Sequence, residues 1–410
     1  MYQHPHQIPY QDQDQEPEQH QEGRDDGGEG DGGEALAKGT AVDVGTKSAS
    51  ASANTAKPVQ SKAKPRRYVE IDTQITCIAD LLRIVDDHTK GVDADDVDYN
   101  IDVRALAKIR PELAQIDAMI GLASFKTDLL NQLLYFMQDL HCSPAVNDSG
   151  SGKSSDYKHM VLYGPPGTGK TQLAKLVGAM YAKLGILPKN VFRKVTRTDL
   201  VAGYLGQTAI KTKKVVEECL GGCLFIDEVY ALGNGNGTGG KNGAGREDAD
   251  SYSKECIDTL CEALSDHKDD LMVIVAGYKT HVQNQFFGAN PGLESRFIWQ
   301  FELDEYTSDE LCQIFLQKVA DIGWSWAVSP TPISAKWFEG KKFPYLGRDM
   351  EMLLTHTKIA HGRRVYGQPA SCRRRLTLAD VDAGHALFLK NQSAKGTEAH
   401  DGPPPFGMYV

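Results

Sequence analysis

Gly164-Pro165-Pro166-Gly167-Thr168-Gly169-Lys170-Thr171 has the GxxxxGK[ST] spacing of a phosphate-cradling loop, and its flanks suit one. Upstream, Met160-Val161-Leu162-Tyr163 is an apolar run of strand length; downstream, Leu173, Leu176, Val177 and Met180 recur at the spacing of a helix with one buried face. A strand feeding a glycine loop feeding a helix aims several backbone N–H groups, and the positive end of the helix dipole, at one anion. In such a loop Lys170 reaches the β- and γ-phosphates and the Thr171 hydroxyl ligates Mg²⁺, while Gln172 opens the helix beside them. Taken alone, the pattern also fits a glycine turn with a chance lysine.

A second segment argues against chance. Cys223-Leu224-Phe225-Ile226 is a continuous apolar run that ends in Asp227-Glu228, and Asp227 follows the loop lysine by 57 residues. Strands of a parallel sheet are buried on both faces and read this way, and their ligands gather at the carboxyl ends. Two carboxylates placed there divide the work: Asp227 holds the Mg²⁺, directly or through water, and Glu228 polarises the attacking water. An exposed acidic pair is the competing reading, but such pairs seldom follow four apolar residues. The expectation is Mg-NTP hydrolysis.

A chain of 410 residues has room for two or three domains, and an apolar fraction of 40% suits a globular protein. Residues 1–66 depart from that average, being rich in Gln, Asp, Glu, Gly, Ala and Ser, and are expected to be a disordered acidic tail. His4, His6 and His20 lie there without metal-ligand spacing. The formal charge of −10 owes much to this tail and gives no basic footprint for nucleic acid. No run approaches the ~20 apolar residues of a membrane span, and no apolar signal core opens the sequence. The eight cysteines, several within apolar runs, suit reduced thiols, so an intracellular, cytoplasmic protein is expected.

The folded part reads in three pieces. Residues 67–113 are expected to form a helical amino-terminal module, with Val103, Leu106 and Ile109 on one face. Residues 114–303 alternate strands and helices, as a doubly wound parallel sheet requires, interrupted by a Gly/Asn-rich insertion from Gly233 to Gly245. Residues 304–390 turn helical and are expected to form a small lid. Its first helix would be capped by Ser308, its second would bury Met352, Leu353 and Ile359, and its third Val381, Ala386 and Leu387. Arg373-Arg374-Arg375 reads as solvated loop charge, and 391–410, with three consecutive prolines, as a flexible tail.

From about Ile116 to Leu387 the chain resembles the AAA+ ATPases, and within them it is similar to the red-type Rubisco activases and the stage V sporulation protein K group. The nucleotide loop and Phe225-Ile226-Asp227-Glu228 carry that resemblance. So do Val273-Ile274-Val275-Ala276-Gly277-Tyr278 and Asn290-Pro291-Gly292-Leu293-Glu294-Ser295-Arg296-Phe297. The resemblance implies a P-loop NTPase α/β domain with a helical lid, ATP and Mg²⁺ as ligands, and a homo-oligomeric ring, usually a hexamer. It sets Ile116, Asp117, Ile120 and Gly121 against the adenine and makes Arg296 an arginine finger acting on the neighbouring subunit. Tyr278 falls where many relatives carry a polar sensor, often Asn, and Arg348 in Gly347-Arg348-Asp349 falls where the lid helix carries a second one.

Ala202-Gly203-Tyr204-Leu205-Gly206 resembles the aromatic pore loop with which such rings grip an extended polypeptide, Tyr204 and Leu205 being its gripping pair. The alternative for this segment is a glycine-bounded turn with Tyr204 packed inside. Threading or pulling of a protein substrate is therefore the leading expectation. An ATP-dependent nucleic-acid remodeller, disfavoured by the absence of a basic face, and an ATP-regulated assembly scaffold with slow hydrolysis are the alternatives.

Overall fold

The computed structural model describes residues 67–89, 97–142, 156–204, 206–233, 246–328 and 331–395. The expected tail over 1–66, Leu205, the insertion beyond Gly233 and residues 396–410 lie outside the described residues. Among those described, no helix is long and apolar enough to cross a membrane.

The first elements are β1 (Arg67–Val69), α1 (Ile78–Thr89), β2 (Val97–Tyr99) and α2 (Val103–Asp117). There follow α3 (Ala123–Met137), β3 (Met160–Tyr163), α4 (Lys170–Lys183), β4 (Phe192–Val195), α5 (Arg197–Leu200), α6 (Thr208–Glu218) and β5 (Cys223–Ile226). Next come α7 (Tyr230–Gly233), α8 (Arg246–Asp266), β6 (Met272–Gly277), α9 (Lys279–His281) and β7 (Trp299–Glu302). The lid comprises α10 (Ser308–Asp321), β8 (Ser325–Trp326), α11 (Ala335–Phe338), α12 (Leu346–Val365), β9 (Arg375–Leu376) and α13 (Leu378–Lys395).

Five strands make one parallel sheet in the order β4-β5-β6-β3-β7. The three inner strands are buried at every position, while the edge strands β4 and β7 are partly exposed. That difference is why β3, β5 and β6 read as unbroken apolar runs. Alternation along each strand divides the core in two. Met160, Leu162, Phe225, Ile274 and Phe301 face a cluster with α2, α3 and α4, whereas Val161, Leu224, Ile226, Val273 and Val275 face one with α6 and α8. His159, just before β3, is bonded into the second of these: its ring accepts from Val273 N–H at 3.1 Å and meets the Leu264 carbonyl at 3.2 Å. Burial pushes its pKa down to about 3, so the ring is neutral.

The amino-terminal region is helical, as expected, with α1 and α2, and adds the parallel pair β1–β2, Arg67 opposite Val97. It does not form a separate core: Leu81, Leu106, Ile109, Leu113 and Ile116 belong to the same cluster as Leu173, Val177 and Phe225. Lys183 of α4 and Glu112 of α2 add an ion pair at 2.6 Å. The helix that begins at Val103 runs through Asp117, across the boundary expected at 113, because its apolar face continues to Ile116.

The lid has its own core, including Phe315, Phe338, Met350, Leu353 and Phe388. Its first helix is capped by Thr307, not Ser308: the Thr307 hydroxyl accepts from Glu310 N–H and the Glu310 carboxylate accepts in return from Thr307 N–H at 2.7 Å. Ile359 is exposed, and in α13 the buried stripe is Val381, Gly384 and Phe388, with Ala386 outside it. That helix continues to Lys395, past the start expected for the tail.

If the amino-terminal helices and the α/β domain share one core, Leu113→Ala lowers the stability of the whole domain by about 2–5 kcal/mol. Urea unfolding followed by tryptophan fluorescence and by circular dichroism checks this; loss of helix signal with an unshifted fluorescence midpoint would show α1 and α2 to be an appendage.

Candidate functional site

The phosphate loop leaves β3 and the acidic pair leaves β5, two strands that flank β6, so a parallel sheet carries both to one edge. There they line a cavity of about 320 Å³ together with Gln172, Tyr278 and Arg348. Pro165 and Thr168 shape the loop from inside: the buried Thr168 hydroxyl donates to the Pro165 carbonyl at 2.9 Å. Gly167 and Gly169 take φ of 87° and 86°, the left-handed region that favours glycine. Gly167 has a second reason to lack a side chain, since a Cβ there would stand 2.1 Å from the Tyr345 carbonyl at the start of the lid helix α12.

Lys170 donates to the carbonyls of Gly164 at 2.8 Å and Pro165 at 2.7 Å, so its ammonium rests within the loop. Burial lowers its pKa to about 8, against the opposing pull of Asp227 and Glu228. Asp227 turns one carboxylate oxygen to Glu228 N–H at 3.2 Å and the other to Lys194 Nζ at 2.7 Å. Glu228 adopts φ of 51°, a strained conformation for a residue with a Cβ, and backbone bonds on either side hold it there. Asp227 N–H donates to Val195 O at 3.2 Å, and Val229 N–H to Ala276 O at 3.1 Å. The donor set fits Mg²⁺: the Thr171 hydroxyl and the Asp227 carboxylate are hard oxygen ligands on one cavity, and a cationic group already stands on the carboxylate.

A second cavity of about 560 Å³ shares Gly167, Gly169, Gln172 and Arg348 with the first and extends past Met119, Ile120, Tyr306 and Gly347. Ile120, one of the four residues the resemblance assigned to the adenine, lines this second cavity. Ile116 does not: it is fully buried in the core under α2. Asp117 and Gly121 line neither cavity. The Asp117 carbonyl accepts from Lys126 Nζ at 2.8 Å, and Gly121 packs on the lid, where a Cβ would meet Glu310 Oε1 at 2.6 Å.

Arg348 sits in the first turn of α12 and borders both cavities. Its neighbour Asp349 is fully buried and accepts from Tyr345 N–H at 2.8 Å, so it fixes the helix start. Arg296 lines neither cavity; its guanidinium donates to Ser265 Oγ at 2.7 Å and to the Gly292 carbonyl. Tyr204 is 79% exposed, which excludes a ring packed inside a turn. Sequence reasoning missed Lys194 and Tyr230, which line the first cavity, and Met119 and Tyr306, which line the second. Lys194 is brought in by the register of β4 on β5 and Tyr306 by the entry to the lid, while Tyr230 opens α7 just after the acidic pair and Met119 follows α2.

Residues 160–295 match the family model described as "ATPase family associated with various cellular activities (AAA)". A cfxQ-like protein of Acanthamoeba polyphaga mimivirus is 36% identical over 295 residues, 71% of this chain and 68% of that protein. A CfxQ homolog of Pyropia yezoensis is 33% identical over 54% of this chain and 70% of its own length. The ESX-1 secretion system protein EccA1 of Mycobacterium tuberculosis is 36% identical over 49% of this chain, a match that spans only 33% of EccA1.

A lysine with a pKa near 8 gives nucleotide binding a pH dependence of definite sign. Its charged form, the one that attracts phosphate, is complete below that value. ADP affinity is expected to hold steady up to about pH 8 and to fall by up to about tenfold per unit above it. Fluorescent-ADP titrations from pH 6.5 to 9.5 check this, and Lys170→Ala should abolish the slope along with most of the affinity.

Proposed function

The chain belongs to the AAA ATPase family, whose members bind ATP with Mg²⁺ and hydrolyse it, and on that premise we propose that it is a ring-forming motor that grips and remodels a protein substrate. Tyr204 carries the substrate half of this reading. It projects at 79% exposure from a segment whose glycines, Gly203 and Gly206, have open space around them. An aromatic ring on such a loop can wedge against varied side chains without sequence-specific contacts. Leu205, its expected partner, lies outside the described residues.

Within the site, Lys170 and the loop N–H groups hold the phosphates, and Thr171 and Asp227 hold the metal. Mg²⁺ held by these residues would supply neutralisation of the charge that develops on the transferred phosphate. Glu228 orients and polarises the attacking water, and its constrained backbone supports that role, since strain of this kind persists where a side chain must be aimed. Tyr278 and Arg348 line the first cavity from the end of β6 and from the lid, and would border a nucleotide held there. The second cavity, with Met119, Ile120 and Tyr306, would take the base.

Arg296 completes the site of a neighbouring subunit. Its absence from both cavities of its own chain supports this, as does its anchorage on Ser265, which keeps a planar fork in a fixed direction.

Mixing two inactive variants tests the shared site. Glu228→Gln and Arg296→Ala should each lower kcat by about 10²–10⁴-fold. A mixture of the two should recover a substantial share of wild-type turnover, because some interfaces pair an intact Glu228 with an intact Arg296. A mixture as inactive as its components would refute the trans arrangement.

The gripping loop has its own readout. An unfolded polypeptide such as casein is expected to stimulate wild-type ATP turnover, and Tyr204→Ala to lose that stimulation. Equal stimulation ratios in the two proteins would remove Tyr204 from substrate contact.

A further inference from the structure

Lys194 has no part in the roles assigned so far, yet it is the residue that holds Asp227. It lies on the edge strand β4, where its register partner is Phe225 of β5. Register partners share a face of the sheet, and so do residues two apart on one strand. Lys194, Phe225 and Asp227 therefore rise on the same side, toward the phosphate loop. The lysine stem follows that line: Nζ passes 5.9 Å from the Phe225 ring centre and ends 2.7 Å from Asp227 Oδ2. The other lysine of the cavity is engaged elsewhere, since Lys170 donates to the Gly164 and Pro165 carbonyls.

We propose that Lys194 is a resident competitor for the metal at Asp227, its ammonium and Mg²⁺ excluding each other at the same carboxylate oxygen. This rests on the reading of Asp227 as a metal-holding residue. Mg²⁺ approaches its oxygen ligands to about 2.0–2.1 Å, and a second full positive charge on that oxygen opposes it. The Lys194 side chain is 45% exposed and has a flexible four-carbon stem, so it can swing into solvent as the metal enters. When the metal leaves after turnover, the ammonium returns and neutralises a carboxylate that is only 23% exposed. Lys194 thus acts as a positioning residue: it weakens metal affinity, speeds metal exchange and keeps the empty acidic pair from standing uncompensated.

Mn²⁺ binding to the full-length protein with ADP bound, read by electron paramagnetic resonance, tests this without turnover. Lys194→Met is expected to tighten Mn²⁺ by about threefold to tenfold, the scale of a partly screened ion pair, whereas Lys194→Arg, which keeps the charge, stays near wild type. In an Asp227→Asn background, Lys194→Met should lose its effect. ADP affinity in EDTA should change little in Lys194→Met, because the lysine contacts the carboxylate and not the phosphates. Equal Mn²⁺ affinities in all three Asp227-containing proteins would overturn the proposal. So would a large loss of metal-free ADP binding in Lys194→Met with Mn²⁺ affinity unchanged, which would make Lys194 a phosphate ligand. If wild type failed to bind ADP at all, the nucleotide reading itself would fall, a result distinct from either. Lys194→Gln, checked for an unshifted thermal midpoint, serves as the second variant should Met perturb the edge strand.

Discussion

Burial of β3, β5 and β6 on both faces leaves the ends of these three inner strands as the place where their polar groups meet water and ligand. Because all five strands run the same way, the polar segments after each one emerge at a single edge. Gly164 N–H donates to Gly277 O at 3.1 Å, and Asp227 N–H reaches Val195 O, so the loops are joined just as they leave the sheet. The phosphate loop, the acidic pair and Tyr278 are thereby set by the rigid core and not by the loops' own preferences. A side chain aimed from such an edge loses little freedom when a ligand arrives, which is where preorganised sites gain their advantage.

The two lysines of the site have partners within the protein. They satisfy themselves on backbone carbonyls and on Asp227, at the positions a phosphate and a metal would compete for. A desolvated ammonium left without a partner would be costly, and the bonds of Lys170 to the two carbonyls offset that cost. The lowered pKa of Lys170 reflects the same burial that strengthens its attraction for a phosphate once water is expelled. Ligand binding here exchanges partners and does not fill an empty electrostatic field.

Features written in contiguous residues were legible before the fold was known. The apolar runs at 160–163 and 223–226 gave buried strands because neither face allows a polar interruption. The glycine loop and Asp227-Glu228 were legible for the same reason, their chemistry being local. What stayed hidden depends on residues distant in sequence. Lys194 reaches Asp227 only through the β4–β5 register, and a lysine at the penultimate position of a half-exposed strand looks like any solvated edge charge. Ile116 was misplaced because its motif continues the apolar face of α2, and core packing claimed it first. The amino-terminal segment read as separate because the acidic loop after Lys90 resembles a linker, while the stripe that joins it to α4 becomes visible only once both helices are in place.

The contact between Gly167 and the start of α12 makes the lid part of the site. Two backbones meet there without side chains between them: a Cβ on Gly167 would strike the Tyr345 carbonyl, and one on Gly347 would come within 2.7 Å of the Gly167 carbonyl. Asp349 holds Tyr345 N–H from within the helix, and burial pushes its carboxyl up to about 6, partly offset by that hydrogen bond and by Arg348. The rigid start of α12 and the phosphate loop are therefore in direct register, with Arg348 standing beside both. The Gly167–Tyr345 contact thereby joins the phosphate loop to a twenty-residue helix packed into the lid core.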